Sequence, residues 1–188
     1  VTKEQILSII SKNKLSVMDY LTLLSPKAEE CLEAIAQRAN EVTIQQFGKT
    51  MQLFTPMYIA NYCINQCVYC GFNCKNQLTR MKLTMKESEK EGEWIAKTGL
   101  KHVLVLTGES PIHSSVDYIV EAVDTLKKFF TGISIEVYPL SEDDYYRAVK
   151  NGVDGMTIFQ EVYDKEIYKE LHLAGPKRDY EFRLDAPE

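Results

Sequence analysis

From residue 51 onward the chain switches repeatedly between two hydrophobic periods, and this alternation constrains its fold more than any other feature. Apolar, β-branched runs at 51–61, 102–107, 133–138 and 154–160 read as strands. Amphipathic segments at 85–98, 116–130 and 142–151 read as helices. Val103-Leu104-Val105-Leu106 and Ile133-Ser134-Ile135 are apolar enough for parallel strands covered by helices. Thr84-x-x-Glu87 forms a capping box, Thr98-Gly99 ends that helix, and Asn151-Gly152 terminates the last helix before the fourth strand. Strand then helix, four times in succession, is half of a (β/α)8 barrel, which in full takes about 250 residues. The expected class is α/β: N-terminal helices over 1–50, then the first half of a TIM-type barrel over 51–188. Because the pattern stops after the fourth strand and its following segment, the chain reads as truncated, the N-terminal part of a longer protein.

Residues 1–50 read as a helical lead-in. Ile6, Leu7, Ile9 and Ile10 make a short amphipathic turn, and Val17, Met18, Leu21 and Leu24 a second short helix. Ser25-Pro26 has the form of an N-cap followed by proline at the first helical position. The helix after it carries a stripe of Cys31, Leu32, Ile35, Ala36, Ala39, Val42 and Phe47, and Gly48 stops it. Cys31 on that stripe is expected in the core.

Composition excludes several classes. With 188 residues, 45% hydrophobic and 26% charged, the chain can bury a sizeable core. A net charge of -5 argues against a nucleic-acid surface. The sequence has no apolar run near the ~18–20 residues that span a membrane and, at its N-terminus, no apolar core of a signal peptide. Five cysteines, an odd number and mostly in one loop, suit a reducing, cytoplasmic setting better than a disulfide framework. The expectation is no nucleic-acid partner and no membrane.

That loop follows the first strand. Cys63, Cys67 and Cys70 are spaced C-x3-C-x2-C, with Tyr69 just before the last. Thiolates packed so densely select zinc, copper(I) or iron–sulfur clusters. Three are one short of a closed site, and an iron–sulfur cluster held by three cysteines leaves one iron open to a substrate or cofactor. Three other readings stand beside it: a buried helical stripe that includes Cys74, a structural zinc site with Cys74 as fourth ligand, and a closed electron-transfer cluster. Against the first, Asn65, Gln66, Gly71, Asn73 and Asn76 break any apolar face. Zinc sites usually draw on two separated pairs, and the usual bacterial four-cysteine run has a shorter first gap. Thr107-Gly108-Glu109 follows the second strand, Glu136 and Tyr138 end the third, and Gln160-Glu161 ends the fourth. All fall at the strand ends where such barrels keep their active sites.

The C-x3-C-x2-C run with its aromatic residue resembles the radical S-adenosylmethionine superfamily. The flanking text "MYIANYC", "CGFN", "LVLTGES" at 104–110, "SIEVYPL" at 134–140 and the stretch 159–188 resemble, within it, the 2-iminoacetate synthase family of tyrosine lyases in thiamine thiazole synthesis. The resemblance implies a 4Fe–4S cluster on Cys63, Cys67 and Cys70, with S-adenosylmethionine on the fourth iron. It implies Tyr69 near the adenine and Thr107, Gly108 and Glu109 receiving the methionine amino group. It also implies that Glu161 contacts the ribose and that Arg183 pairs with the methionine carboxylate. In the reaction the resemblance implies, a 5′-deoxyadenosyl radical takes hydrogen from the amino group of L-tyrosine. The Cα–Cβ bond breaks, giving 2-iminoacetate and 4-methylphenol. An electron donor and a thiazole synthase partner come with the family.

The tyrosine lyase of iron-only hydrogenase maturation is the rival within the class. A non-catalytic cysteine-rich metal or electron-transfer module is the rival outside it. Cys74 is expected beside the site without ligating, His102 at a strand start and His113 in a loop; His172 is a weaker pocket candidate. Tyr145, Tyr146, Tyr163 and Tyr168 read as packing and surface residues, and Lys82, Lys127 and Lys128 as solvated helix ends.

Overall fold

The computed structural model describes residues 1–187. They divide into two compact units, Val1–Met51 and a second from Gln52 onward.

In the first unit, α1 (Lys3–Ile10) opens on a Thr2/Gln5 capping box and α2 (Val17–Leu23) on a Ser16/Asp19 box. A small core of Ile6, Ala28 and Cys31 joins α1 to a 3-10 turn over Pro26–Cys31, so Cys31 is buried as expected. Two expectations need correcting. Ser25 makes no side-chain cap, and Pro26 opens the 3-10 turn while α3 (Leu32–Phe47) begins only after Cys31. Among the described residues of α3 none is buried, and Leu32 and Phe47 are 65% and 74% exposed. Periodicity identified an amphipathic helix; it could not say what covers the apolar side.

The second unit is a parallel sheet in the order β1-β2-β3-β4: Phe54–Ala60, His102–Thr107, Gly132–Glu136 and Gly155–Met156. Right behind it run α4 (Met85–Lys97), α5 (Val116–Leu126) and α6 (Glu142–Lys150). The apolar strand runs form because their alternate residues are buried on the helix side. Met57, Ile59, Val103, Val105, Ile133 and Ile135 pack there with Ile119, Ala122, Val123 and Leu126 of α5. Each of these valine, leucine, isoleucine and methionine side chains contributes about 1.5–3 kcal/mol by leaving water. Phe54 and Tyr58, offset by one residue, point to the other face and stay exposed. Tyr118 on α5 donates its hydroxyl to Ile59 O (2.9 Å) and Leu83 O (2.7 Å), and Lys82 lies over its ring at 4.1 Å instead of at a solvated helix end. Lys127 and Lys128, by contrast, are surface residues paired with Asp124 and Glu89.

The fourth strand is shorter than the apolar run at 154–160 suggests. Only Gly155 and Met156 pair with β3, with Thr157 N donating once more to Ile135 O at 2.9 Å. The chain then leaves the sheet and reaches Glu161, the single non-glycine residue at positive φ (72°) among the described residues. Two short helices follow, α7 (Lys165–Leu171) and α8 (Tyr180–Asp185), separated by a 3-10 turn at Pro176–Arg178. Among the described residues no helix is long and apolar enough to cross a membrane.

Candidate functional site

The register of the sheet sets one row of side chains at its C-terminal edge. Tyr58 lies opposite Leu106, and Leu106 opposite Glu136. All three border a cavity of about 340 Å³, with Thr107, Gly108 and Glu109 beyond β2 and Val137 and Tyr138 beyond β3. Glu161, Lys177 and Arg183 border it from the segment after β4.

The cysteine loop leaves β1 and is tied down on both sides. Ile64 N donates to Glu109 O at 2.9 Å. Gln66 N reaches Ala174 O at 2.8 Å, Leu173 N reaches Gln66 O at 3.2 Å and Val68 N reaches Leu171 O at 3.0 Å. The loop thus borrows backbone partners from the end of α7 and the chain following it, with Cys67 bridged to His172. Arg80 closes its far end, donating to the carbonyls of Asn61 (2.8 Å), Phe72 (2.9 Å) and Asn73 (2.8 Å). The result is that Cys63, Cys67 and Cys70 all border the cavity, while Cys74 is exposed and does not.

This segment is not helical, so the buried-stripe alternative falls. Among the described residues no three His, Cys, Asp or Glu side chains lie close enough to hold a single metal ion, and a closed zinc site with Cys74 has no counterpart there. A cluster, in which each thiolate takes a different metal atom, asks for thiols spread around one cavity.

Gly108 is glycine because of the chain's own backbone. A Cβ there would stand 2.3 Å from Tyr62 O and 3.2 Å from Cys63 Cβ, so the peptide entering the cysteine loop crosses it. Gly108 N also donates to Ala60 O at 3.1 Å. Glu109 next to it is held by Arg183 Nη2 at 3.3 Å and by Asn65 Nδ2 at 2.7 Å. Arg183 and Glu109 are 7% and 10% exposed, a buried pair and not the surface salt bridge an arginine usually makes. Arg183 Nε and Thr107 Oγ1 are buried without a hydrogen-bond partner among the described residues. At the opposite wall Lys177 Nζ donates to Glu161 Oε1 at 2.7 Å.

Tyr69 is fixed from behind. Its hydroxyl lies 2.6 Å from His172 Nε2, and His172 Nδ1 lies 2.8 Å from Tyr168 O. A carbonyl only accepts, so Nδ1 carries the proton and Nε2 accepts from Tyr69. His172 is fully buried, and burial holds its pKa below the usual imidazole value. It supports the wall of the cavity without bordering it. Burial likewise pushes up the Tyr69 phenol, aided by the neighbouring Cys67 charge. Burial raises the Cys67 thiol too, with Lys177 pulling the other way. The Glu136 carboxyl is raised by burial and then by Glu161.

All nine residues singled out by the sequence are therefore brought to one cavity. Sequence reasoning missed Asn65 and Lys177, and it gave His172 no partner. His102 opens β2, His113 sits in a loop stacked on Tyr62, and Tyr146 and Tyr163 are exposed as expected. Tyr168 is fully buried, its hydroxyl on Lys177 O at 2.5 Å.

Comparison with known proteins gives four matches. A family model described as the radical SAM superfamily matches residues 57–188. The chain is 39% identical to a 2-iminoacetate synthase of Salmonella typhimurium over 93% of its own length and 46% of the relative's. It is 31% identical to a 3-methylornithine synthase of Methanosarcina barkeri over 88% of its length and 48% of the relative's. Among solved structures, HydG, a maturase of the FeFe-hydrogenase, superimposes with a TM-score of 0.94 at 29% identity, covering 100% of this chain and 43% of that one. The chain spans about half the length of the curated relatives it matches.

Proposed function

This chain belongs to the radical S-adenosylmethionine superfamily, whose members use a 4Fe–4S cluster and S-adenosylmethionine, and on that premise we propose that its cavity is where both are held. The observation that carries the proposal is the convergence of Cys63, Cys67 and Cys70 on one cavity that also holds Glu109 and Arg183. The donor set fits the group. Three thiols can take three irons of a cluster, leaving one iron for a ligand. The unpartnered Arg183 Nε and Thr107 Oγ1 face the need of a carboxylate and an ammonium for polar partners.

When bound and reduced by one electron, the two groups together supply a carbon radical that removes a hydrogen atom from substrate. The chain's own residues bind and orient. Cys63, Cys67 and Cys70 would ligate irons. Glu109 would meet the methionine ammonium, with Thr107 and Gly108 beside it, and Arg183 would meet the carboxylate. Tyr69, braced by His172, would stack near the adenine, and Glu161 would reach the ribose. Residues 1–50 serve as a helical lead-in to the barrel portion over 51–188.

We infer further that the whole enzyme is a carbon–carbon lyase of L-tyrosine, releasing 2-iminoacetate and 4-methylphenol in the cytoplasm, with an electron donor and a thiazole synthase as partners. The identity with 2-iminoacetate synthase supports this reading. A second reading, tyrosine cleavage in hydrogenase maturation, is favoured by the likeness to HydG. The test is anaerobic reconstitution of the complete enzyme, followed by turnover with reductant, S-adenosylmethionine and L-tyrosine. Release of 4-methylphenol with 2-iminoacetate supports the lyase. Cleavage of S-adenosylmethionine with tyrosine left intact overturns the substrate. A second iron–sulfur cluster in the complete enzyme, beyond the one on Cys63, Cys67 and Cys70, transfers the chain to the maturase reading.

A further inference from the structure

Asn65 lies between the first two cysteines of the loop and is 1% exposed. Its amide orientation is fixed by its neighbours. The backbone N–H of Lys177 donates to Asn65 Oδ1 at 2.8 Å, so that end is the carbonyl and the other is the NH2. The NH2 donates to Glu109 Oε2 at 2.7 Å and lies 3.7 Å from Cys63 Sγ. Gly175, at φ +96°, lets the backbone pass close against this amide, since a Cβ there would stand 2.3 Å from Oδ1 and 2.7 Å from Asn65 Cα. A buried N–H, held by hydrogen bonds at both ends of its amide, is thus within reach of one thiol of the proposed cluster.

We propose that Asn65 is a positioning residue that donates to the Cys63 thiolate and thereby raises the reduction potential of the cluster. The inference rests on Cys63 being a cluster ligand. Reduction adds negative charge to the iron–sulfur unit, and a donor on a ligand sulfur stabilises that charge; hydrogen bonds to sulfur are among the protein's levers on cluster potential. The same NH2 group holds Glu109, so the carboxylate offered to the cofactor and the electron affinity of the cluster share one amide.

The test is an electron paramagnetic resonance redox titration of the reconstituted complete enzyme without S-adenosylmethionine, for the wild type, Asn65→Leu and Asn65→Asp. Asn65→Leu removes the donor without adding charge; Asn65→Asp keeps the acceptor for Lys177 N–H. Both variants are expected to titrate at more negative potential. At a poise set to the wild-type midpoint, the reduced fraction should fall to about a tenth of the oxidised one, a shift of about 59 mV for one electron. An unchanged midpoint in variants carrying a full complement of iron overturns the proposal. If neither variant retains the cluster, the wild type labelled with 15N in the asparagine side chains decides. A nitrogen coupling to the reduced cluster supports the donor, and its absence overturns it. A wild type that assembles no cluster refutes the assignment of Cys63 itself, a separate failure.

Discussion

Gly108→Ala drives a methyl group into the entrance of the cysteine loop. The new Cβ would meet Tyr62 O at 2.3 Å and Tyr62 C at 2.9 Å, both backbone atoms. Restoring ordinary van der Waals separation moves that peptide by about 1 Å. It cannot move freely, because Ala60 O accepts from Gly108 N at 3.1 Å and Ile64 N donates to Glu109 O at 2.9 Å. Arg80 holds Asn61 O at 2.8 Å on the far side. Overpacking of this kind costs about 1–3 kcal/mol, and a backbone neighbour under several restraints places this site at the upper end. At about 2–4 °C per kcal/mol, the Tm should fall by roughly 6–12 °C. Gly71→Ala is the internal control: it borders the same cavity, but its Cβ would meet nothing within 4 Å. Its expected effect is within about 0.5 kcal/mol. Circular dichroism melts of the two variants and the wild type are the assay. Equal stability of the two variants would refute the steric argument.

Other consequences follow from the same site. Serine at Cys63, Cys67 or Cys70 should each abolish cluster uptake, whereas Cys74→Ser should leave iron and sulfide content unchanged; metal analysis after anaerobic reconstitution distinguishes them. Arg183→Met should cost about 3–5 kcal/mol, because it strands Glu109 as a buried charge, and adding Glu109→Gln should recover most of the loss in urea denaturation. Glu136→Gln should raise Tm at pH 7 and change little at pH 4. Burial lifts the Glu136 carboxyl above its usual 4.5. Its contribution to stability is therefore present below that value and is lost as pH rises through the raised folded one. A variant curve parallel to the wild type from pH 4 to 7 would contradict that sign.

The sheet was legible because parallel strands covered by helices leave strongly apolar runs, and His102–Thr107 and Gly132–Glu136 fall within a residue or two of their apolar text. The fourth strand was over-read because the apolar letters at 154–160 continue past Met156, while the backbone turns out of the ladder toward the left-handed Glu161. The cysteines were legible by their spacing and Glu109 by its place after the second strand, whereas Arg183 was singled out only by the family resemblance. Asn65 and Lys177 were not, since a buried polar side chain leaves no period in the sequence. Asn65 meets Lys177 across 112 residues, and Tyr69 meets His172 across 103. Only the fold makes them neighbours.

Everything proposed for the site depends on three thiols in one cavity holding a cluster with an iron open to S-adenosylmethionine. Electron paramagnetic resonance of the reduced, reconstituted enzyme with and without S-adenosylmethionine tests it most directly. A cluster signal that changes on adding the cofactor and is missing from the Cys63, Cys67 and Cys70 variants is the expected result. A signal indifferent to S-adenosylmethionine, or zinc bound with no iron signal, would contradict it.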